Sequence, residues 1–150
     1  RDERDWKQFH DPKNLAAALG ATGNRGPDGE WLFTYKLVRS LTLMAAHAAH
    51  VVPIDTLYAD FRDGEGLRAE SRQSRAEGFM GRLAIHPAQV EIINECYTPS
   101  DDEVAFARRV VEAFAAQPGT GTVGIDGKMF DIPHLKAAQR TLSVAEAFAT

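Results

Sequence analysis

From Glu30 to Ala49 the apolar residues Phe33, Leu37, Leu41, Met44 and Ala48 recur at steps of three and four, which puts them on one side of a helix. The spacing predicts a core-facing helix there. The stretch before it, Thr22-Gly23-Asn24-Arg25-Gly26-Pro27-Asp28-Gly29, reads as a loop because Gly, Asn and Pro each disfavour a regular ladder or helix. A short Ala/Leu helix is expected upstream of that loop, at Leu15 to Leu19. Val51 to Tyr58 is a near-continuous apolar run of strand length that turns acidic at its far end, in Asp55, Asp60 and Asp63. Such a run predicts a strand buried on both faces. Leu67 to Glu77 then has the pattern of a charged amphipathic helix closed by Gly78. Gly81-Arg82-Leu83-Ala84-Ile85 reads as a second buried strand, ended by His86-Pro87 because a residue before proline stays extended.

The alternation of helix and strand implies parallel strands joined by helical crossovers, an α/β arrangement. Both faces and both edges of such a pair need partners, so this segment is expected to complete a larger sheet. The final third changes character. Ser100 and Glu103 have the spacing of a capping box, and Val104, Ala107, Val110, Val111 and Phe114 continue as a helical stripe to about Gln117. Pro118-Gly119 breaks it, and Asp126-Gly127 between the short apolar-rich arms of Thr122 to Phe130 predicts a two-residue hairpin turn. Pro133 opens a last helix through Leu135, Ala138, Leu142 and Ala145.

Composition narrows the function classes. With 44% hydrophobic and 25% charged residues among 150, the chain has the make-up of a soluble globular domain. A formal net charge of -4 gives no general electrostatic reason to bind nucleic acid or an anionic membrane. Cys96 is the single cysteine, which rules out an intrachain disulfide and favours a reducing compartment, cytoplasmic or an organelle matrix. The charged start from Arg1 to Lys13 lacks the apolar centre of a secretory signal, and no apolar run is long enough to cross a bilayer. The chain begins without Met, so a segment upstream of Arg1 is expected.

Residues with chemical capacity fall into a few groups. Asp55, Asp60 and Asp63 gather at the end of a strand, where one of them is expected to line a pocket; loop structure and helix capping are the alternative for Asp60 and Asp63. His86 could hydrogen-bond a ligand or tie down the strand-to-helix turn, with Gln89 assisting. His47 and His50 stand three apart at a helix end without a nearby third ligand, which reads as helix C-terminal histidines rather than a metal site. Arg68, Arg72 and Arg75 share one helix flank and could meet phosphates, or form a solvated face salt-bridged to Glu65 and Glu77.

Several strings resemble the family of citrate lyase β-subunits, malyl-CoA lyases and citramalyl-CoA lyases, and stand in that family's order. Leu19-Gly20-Ala21-Thr22 is similar to the end of its metal-binding loop. Ile54-Asp55-Thr56-Leu57-Tyr58-Ala59-Asp60-Phe61-Arg62-Asp63 resembles its seventh strand and following loop, leading into Glu65-Gly66-Leu67. Gly78-Phe79-Met80-Gly81-Arg82-Leu83-Ala84-Ile85-His86-Pro87-Ala88-Gln89 resembles its eighth strand and next helix. Thr98-Pro99-Ser100 and Gly127-Lys128-Met129-Phe130-Asp131-Ile132-Pro133 resemble its C-terminal extension.

The resemblance implies the C-terminal part of a TIM-type (β/α)8 barrel over residues 1–95, followed by a helix, hairpin and helix extension over 96–150 that reaches a neighbouring subunit. A whole barrel needs ~250 residues, so a piece of a longer protein is expected. The implied activity is Mg²⁺-dependent cleavage or formation of a 3-hydroxyacyl thioester of coenzyme A, such as malyl-CoA, citramalyl-CoA or a citryl thioester, giving acetyl-CoA and a 2-oxo acid. The implied assembly is a homo-oligomer, a trimer or hexamer. Asp131 matches the family's acid/base aspartate, against the alternative of a helix-capping Asp, and Asp55, Asp60, Asp63, His86 and Gln89 are the candidate substrate or CoA contacts. One departure bears on the metal: Asn14 stands where the family has a Mg²⁺-binding Asp. Either the metal site has degenerated, giving a non-catalytic CoA-binding or assembly relative, or the segment from Arg1 to Asn14 is not the family's sequence at that point.

Overall fold

A computed structural model of the chain describes Gly20 and residues 22–148, and the chain divides into two compact units, the first ending at Tyr97 and the second starting at Thr98. The expected helix at Leu15 to Leu19 and Asn14 lie outside the described residues.

In the first unit, helix α1 spans Phe33–Ala48, α2 spans Gly64–Glu77 and α3 spans Val90–Tyr97, the last entered through a 3-10 turn at Pro87–Gln89. Helix α2 starts at Asp63, whose side chain accepts from the Gly66 amide, and stops at Gly78, whose φ of 116° suits glycine alone. The two apolar runs are extended segments that meet in a parallel bridge between Asp55 and Arg82. The Asp55 amide donates to the Gly81 carbonyl at 2.8 Å, and the Leu83 amide donates to the Asp55 carbonyl at 3.1 Å. The helix-crossover expectation therefore gains a direct register.

Burial on both faces does not hold for these segments. Side chains alternate along an extended chain, so Asp55 and Arg82 turn to one face and Ile54 and Leu83 to the other. The first face is buried, whereas Ile54 is 45% and Leu83 55% exposed, with Val52 and Ile85 exposed at the next alternate positions. Helices cover the positions of Asp55 and Arg82, whereas among the described residues the second face is left open at Val52, Ile54, Leu83 and Ile85 and is buried at Thr56. The predicted stripe on α1 is corrected in the same sense: Phe33 is 77% and Met44 66% exposed, with Leu37 and Leu41 also exposed. The face of α1 that this unit buries carries Tyr35, Val38, Arg39 and Ala46. Tyr35 and Val38 form a small cluster with Trp31, while Leu67, Phe79, Ile93, Cys96 and Tyr97 form the main core between α2 and α3.

The second unit comprises α4 (Asp101–Ala115), β1 (Thr122–Ile125), β2 (Lys128–Asp131) and α5 (Ile132–Phe148). Ser100 and Glu103 form the expected capping box, with the Ser100 amide donating to Glu103 at 2.7 Å. Strands β1 and β2 are antiparallel, pairing Ile125 with Lys128 and Thr122 with Asp131. Both turn residues have positive φ, 50° at Asp126 and 75° at Gly127, as a two-residue hairpin turn requires. The core joins Ala107, Val110 and Phe114 of α4 to Val123 and Ile125 of β1 and Ala138 of α5.

Candidate functional site

Each unit carries part of the residue set. In the first, Asp55 is 0% exposed. Its carboxylate accepts from Arg39 Nη1 at 2.5 Å, from Arg82 Nη2 at 2.8 Å and from the Thr56 amide at 2.8 Å. Burial by itself raises a carboxyl pKa, but the hydrogen bond and charge of Arg39, joined by Ser74 and Arg82, outweigh it and leave Asp55 below its ordinary value. The network extends outward, because Arg39 also donates to Glu77 at 2.6 Å and Arg82 to Glu70 at 3.0 Å, and Arg25 pairs with Glu70 while lying over the Trp31 ring. Glu77 therefore serves Arg39 on α1, where the sequence suggested the Arg68 to Arg75 flank. Arg68 pairs with Glu65 at 4.0 Å, as expected, and also with Glu95, and Arg72 comes within 3.9 Å of Glu95.

The other strand-end residues lie on the segment between the bridge and α2, or after the second extended segment. Asp60 accepts from the Arg62 amide at 3.0 Å, and Asp63 caps α2 while accepting from the Tyr58 hydroxyl at 2.6 Å. A side chain at position 66 would overlap both Asp63 and Tyr58, so Gly66 is what lets that pair close. The hydrogen bonds from Tyr58 and the Gly66 amide hold Asp63 ionised, below the usual carboxylate range. His86 stacks on Phe61 with ring centroids 4.4 Å apart and accepts from the Ala88 amide through Nδ1 at 3.1 Å. Gln89 is buried and spans the two extended segments, accepting from the Ile85 amide at 2.9 Å and donating to the Tyr58 carbonyl at 2.9 Å. Cys96 is buried, and that burial pushes its thiol up, away from thiolate chemistry. His47 and His50 are exposed at the end of α1, and among the described residues no group of three or more His, Cys, Asp or Glu could hold a metal ion.

In the second unit, Asp131 ends β2 at the point where α5 begins, and is half exposed. Its Oδ1 accepts from the His134 amide at 3.4 Å, the geometry of a helix cap, and lies 2.5 Å from His134 Nδ1. Nδ1 also lies 3.3 Å from the Asp131 amide, the reciprocal contact of a capping box, which uses the ring nitrogen as acceptor; a carboxylate has no proton to give, so the 2.5 Å contact uses Nδ1–H as donor. That hydrogen bond, with the backbone amide adding to it, holds Asp131 below its ordinary pKa. Sequence reasoning passed over His134, although its place three residues after a helix-opening Asp matches the reciprocal position of a capping box. It also passed over Arg39 and Arg82. A signal was present for Arg82, since an Arg inside an apolar strand run needs a buried counter-charge; Arg39, on α1, gave none.

Residues 9–150 match the family model described as C-C bond lyase of the TIM-barrel fold. The chain is 45% identical over 111 residues to a (3S)-malyl-CoA thioesterase of Cereibacter sphaeroides, a match that covers 73% of this chain and 39% of that protein. It is 34% identical over 135 residues to the mitochondrial citramalyl-CoA lyase of Homo sapiens, covering 89% of this chain and 38% of that one. The crystal structure of CitE from Mycobacterium tuberculosis in complex with magnesium, acetoacetate and coenzyme A superposes with a TM-score of 0.75 at 35% identity, over 90% of this chain and 50% of that chain. The chain thus spans half or less of the length of these relatives. Among the described residues, no helix is long and apolar enough to cross a membrane.

Proposed function

The chain belongs to the C-C bond lyase family of the TIM-barrel fold, and from that premise we propose that the whole protein breaks or forms the bond between carbons two and three of a 3-hydroxyacyl thioester of coenzyme A. The observation that carries this reading is Asp131, an ionised, half-exposed carboxylate at a hairpin–helix junction behind Gly127-Lys128-Met129-Phe130. In cleavage, a base supplied by the rest of the protein or a water molecule would take the hydroxyl proton, the carbon–carbon bond opens to a 2-oxo acid and a thioester enolate, and Asp131 in its acid form gives its proton to that enolate, yielding acetyl-CoA. In condensation its carboxylate takes the methyl proton. The His134 hydrogen bond and the start of α5 favour the carboxylate, which suits condensation; cleavage requires the closed site to offset them by desolvation.

Coenzyme A and Mg²⁺ as participants are supported by the magnesium and coenzyme A complex of the CitE relative. Bound Mg²⁺ would supply polarisation of the hydroxyl or ketone oxygen. The described residues alone do not fit such a site, so its ligands would come from the rest of the protein. Asp131 is further proposed to serve a neighbouring subunit of a trimer or hexamer, supported by the separate core of the unit that bears it. In the first unit, Asp55, Asp63, His86 and Gln89 shape the strand ends through the bonds they make, and Asp60 is the carboxylate there with the fewest protein partners to give up to a substrate.

Replacement of Asp131→Ala in the full-length protein is expected to lower kcat by roughly 10²- to 10⁴-fold, the usual worth of a general acid or base, with coenzyme A thioester binding retained. Undiminished turnover rejects the reading. A second reading, hydrolysis of the thioester, is favoured by the 45% identical malyl-CoA thioesterase. Product analysis separates the two, because cleavage yields acetyl-CoA and a 2-oxo acid, whereas hydrolysis yields free thiol and the intact hydroxy acid. A non-catalytic relative, suggested by Asn14, would bind coenzyme A with neither set of products.

A further inference from the structure

We propose that His134 is the positioning residue of Asp131: its Nδ1 edge and backbone amide fix which way the carboxylate points, while an aromatic brace fixes the imidazole. The inference rests on the proposed acid/base role of Asp131. Its geometry is closed on both sides. His134 Nδ1 lies 2.5 Å from Asp131 Oδ1, and the backbone amide of the same histidine reaches that oxygen at 3.4 Å, so the rotamer is held by two donors one helical turn away. The His134 ring meets Phe130 edge-on, with centroids 5.3 Å apart and planes at 87°, and Phe130 in turn meets Phe106 of α4 at 5.6 Å. These rings line a cavity of about 200 Å³ between α4 and α5 with Val110, Ala137 and Thr141.

An imidazole set edge-on against Phe130, which Phe106 meets in turn, keeps Nδ1 aimed at the carboxylate and leaves the opposite edge, Nε2, to exchange protons. The other ionisable group lining the cavity, Glu103 of α4, is engaged in the capping box with Ser100. The two amide contacts, at 3.3 and 3.4 Å, are those of a capping box; the 2.5 Å contact between Nδ1 and the carboxylate goes beyond it. The orientation matters because a base misaligned by a fraction of a bond length loses much of its advantage.

The test combines kinetics of the full-length protein with a titration of this chain. His134→Ala is expected to lower kcat by about tenfold or more, the worth of one charge-assisted hydrogen bond, with KM for the thioester within about twofold. In condensation, where Asp131 acts as base, the acid limb of the pH profile should move to higher pH. His134→Asn keeps an N–H donor near the Nδ1 position and should recover most of kcat. In the 150-residue chain, His134→Ala should raise the Asp131 carboxyl pKa followed by NMR. An unchanged Asp131 titration overturns the pairing whatever the activity. A His134→Ala protein with unaltered kcat and pH profile, alongside an inactive Asp131→Ala, overturns the positioning role alone. Full activity of Asp131→Ala overturns the acid/base reading and this inference with it.

Discussion

A carboxylate removed from water must recover its lost hydration from its neighbours, and Asp55 does so from two guanidinium groups and a backbone amide. Asp55→Ala would leave Arg39 and Arg82 buried with one carboxylate each, Glu77 and Glu70. The expected cost is about 3 kcal/mol, the low end for breaking a buried ion pair, read as a shift in the urea midpoint of the chain. Acidity probes the same group. Because its folded pKa lies below its unfolded one, Asp55 contributes stability that is complete above the ordinary carboxylate range and is lost as pH falls through the lowered value. Asp55→Asn should therefore flatten the acid side of the stability profile, and an unchanged profile would show that other carboxylates dominate it. The sequence displayed Asp55 and Arg82 inside apolar runs but not their pairing with Arg39, since a period-two pattern says nothing about which helix a strand residue meets.

Local chemistry wrote several element boundaries openly. Ser100 with Glu103, Asp63 with Gly66 and Gly78 with its positive φ each satisfy helix-end groups within a few residues, so their signals are complete in the sequence. The hairpin is of the same kind. Asp126 and Gly127 supply the positive φ values that set Thr122 opposite Asp131, and Arg109 of α4 holds the turn by donating to both Asp126 oxygens at 2.8 and 2.9 Å. An exposed pair of that sort contributes at most about 1 kcal/mol, so the turn depends mainly on its backbone. Gly127→Ala is expected to destabilise the second unit by about 1 kcal/mol and, in full-length protein, to lower kcat through a loosened Asp131. Calorimetric unfolding and turnover should fall together; a drop in stability with unaltered kcat would mean that β2 holds Asp131 without help from the turn. The α1 stripe was misread for a different reason. Tyr35, Val38 and Ala46 make a second apolar path beside Phe33, Leu37, Leu41 and Met44, so the helix has apolar residues on more than one side, and periodicity ranks neither face.

At the scale of the molecule, the two exposed apolar surfaces have one explanation in the barrel fold of the family. In a closed barrel, inward-pointing side chains of each strand fill the interior in layers, and the opposite face meets the outer helices. Asp55 and Arg82 turn toward α1 and α2, which assigns Ile54 and Leu83 to the interior side. The matched stretch covers half or less of each of these relatives, and the length beyond it would supply the remaining layers. Fold class was legible because the order of helix and strand survives in any stretch of such a barrel, but burial was not, because burial depends on residues far away in sequence. The same substitution should thus behave oppositely in two contexts. Leu83→Asn in the 150-residue chain removes an exposed side chain and should change stability by no more than about 0.5 kcal/mol. In a protein carrying the whole barrel it puts an amide into a packed interior and should cost at least about 2 kcal/mol. Denaturation of both pairs measures the contrast, and equal costs in the two contexts would mean that this face is not the inner wall of a barrel.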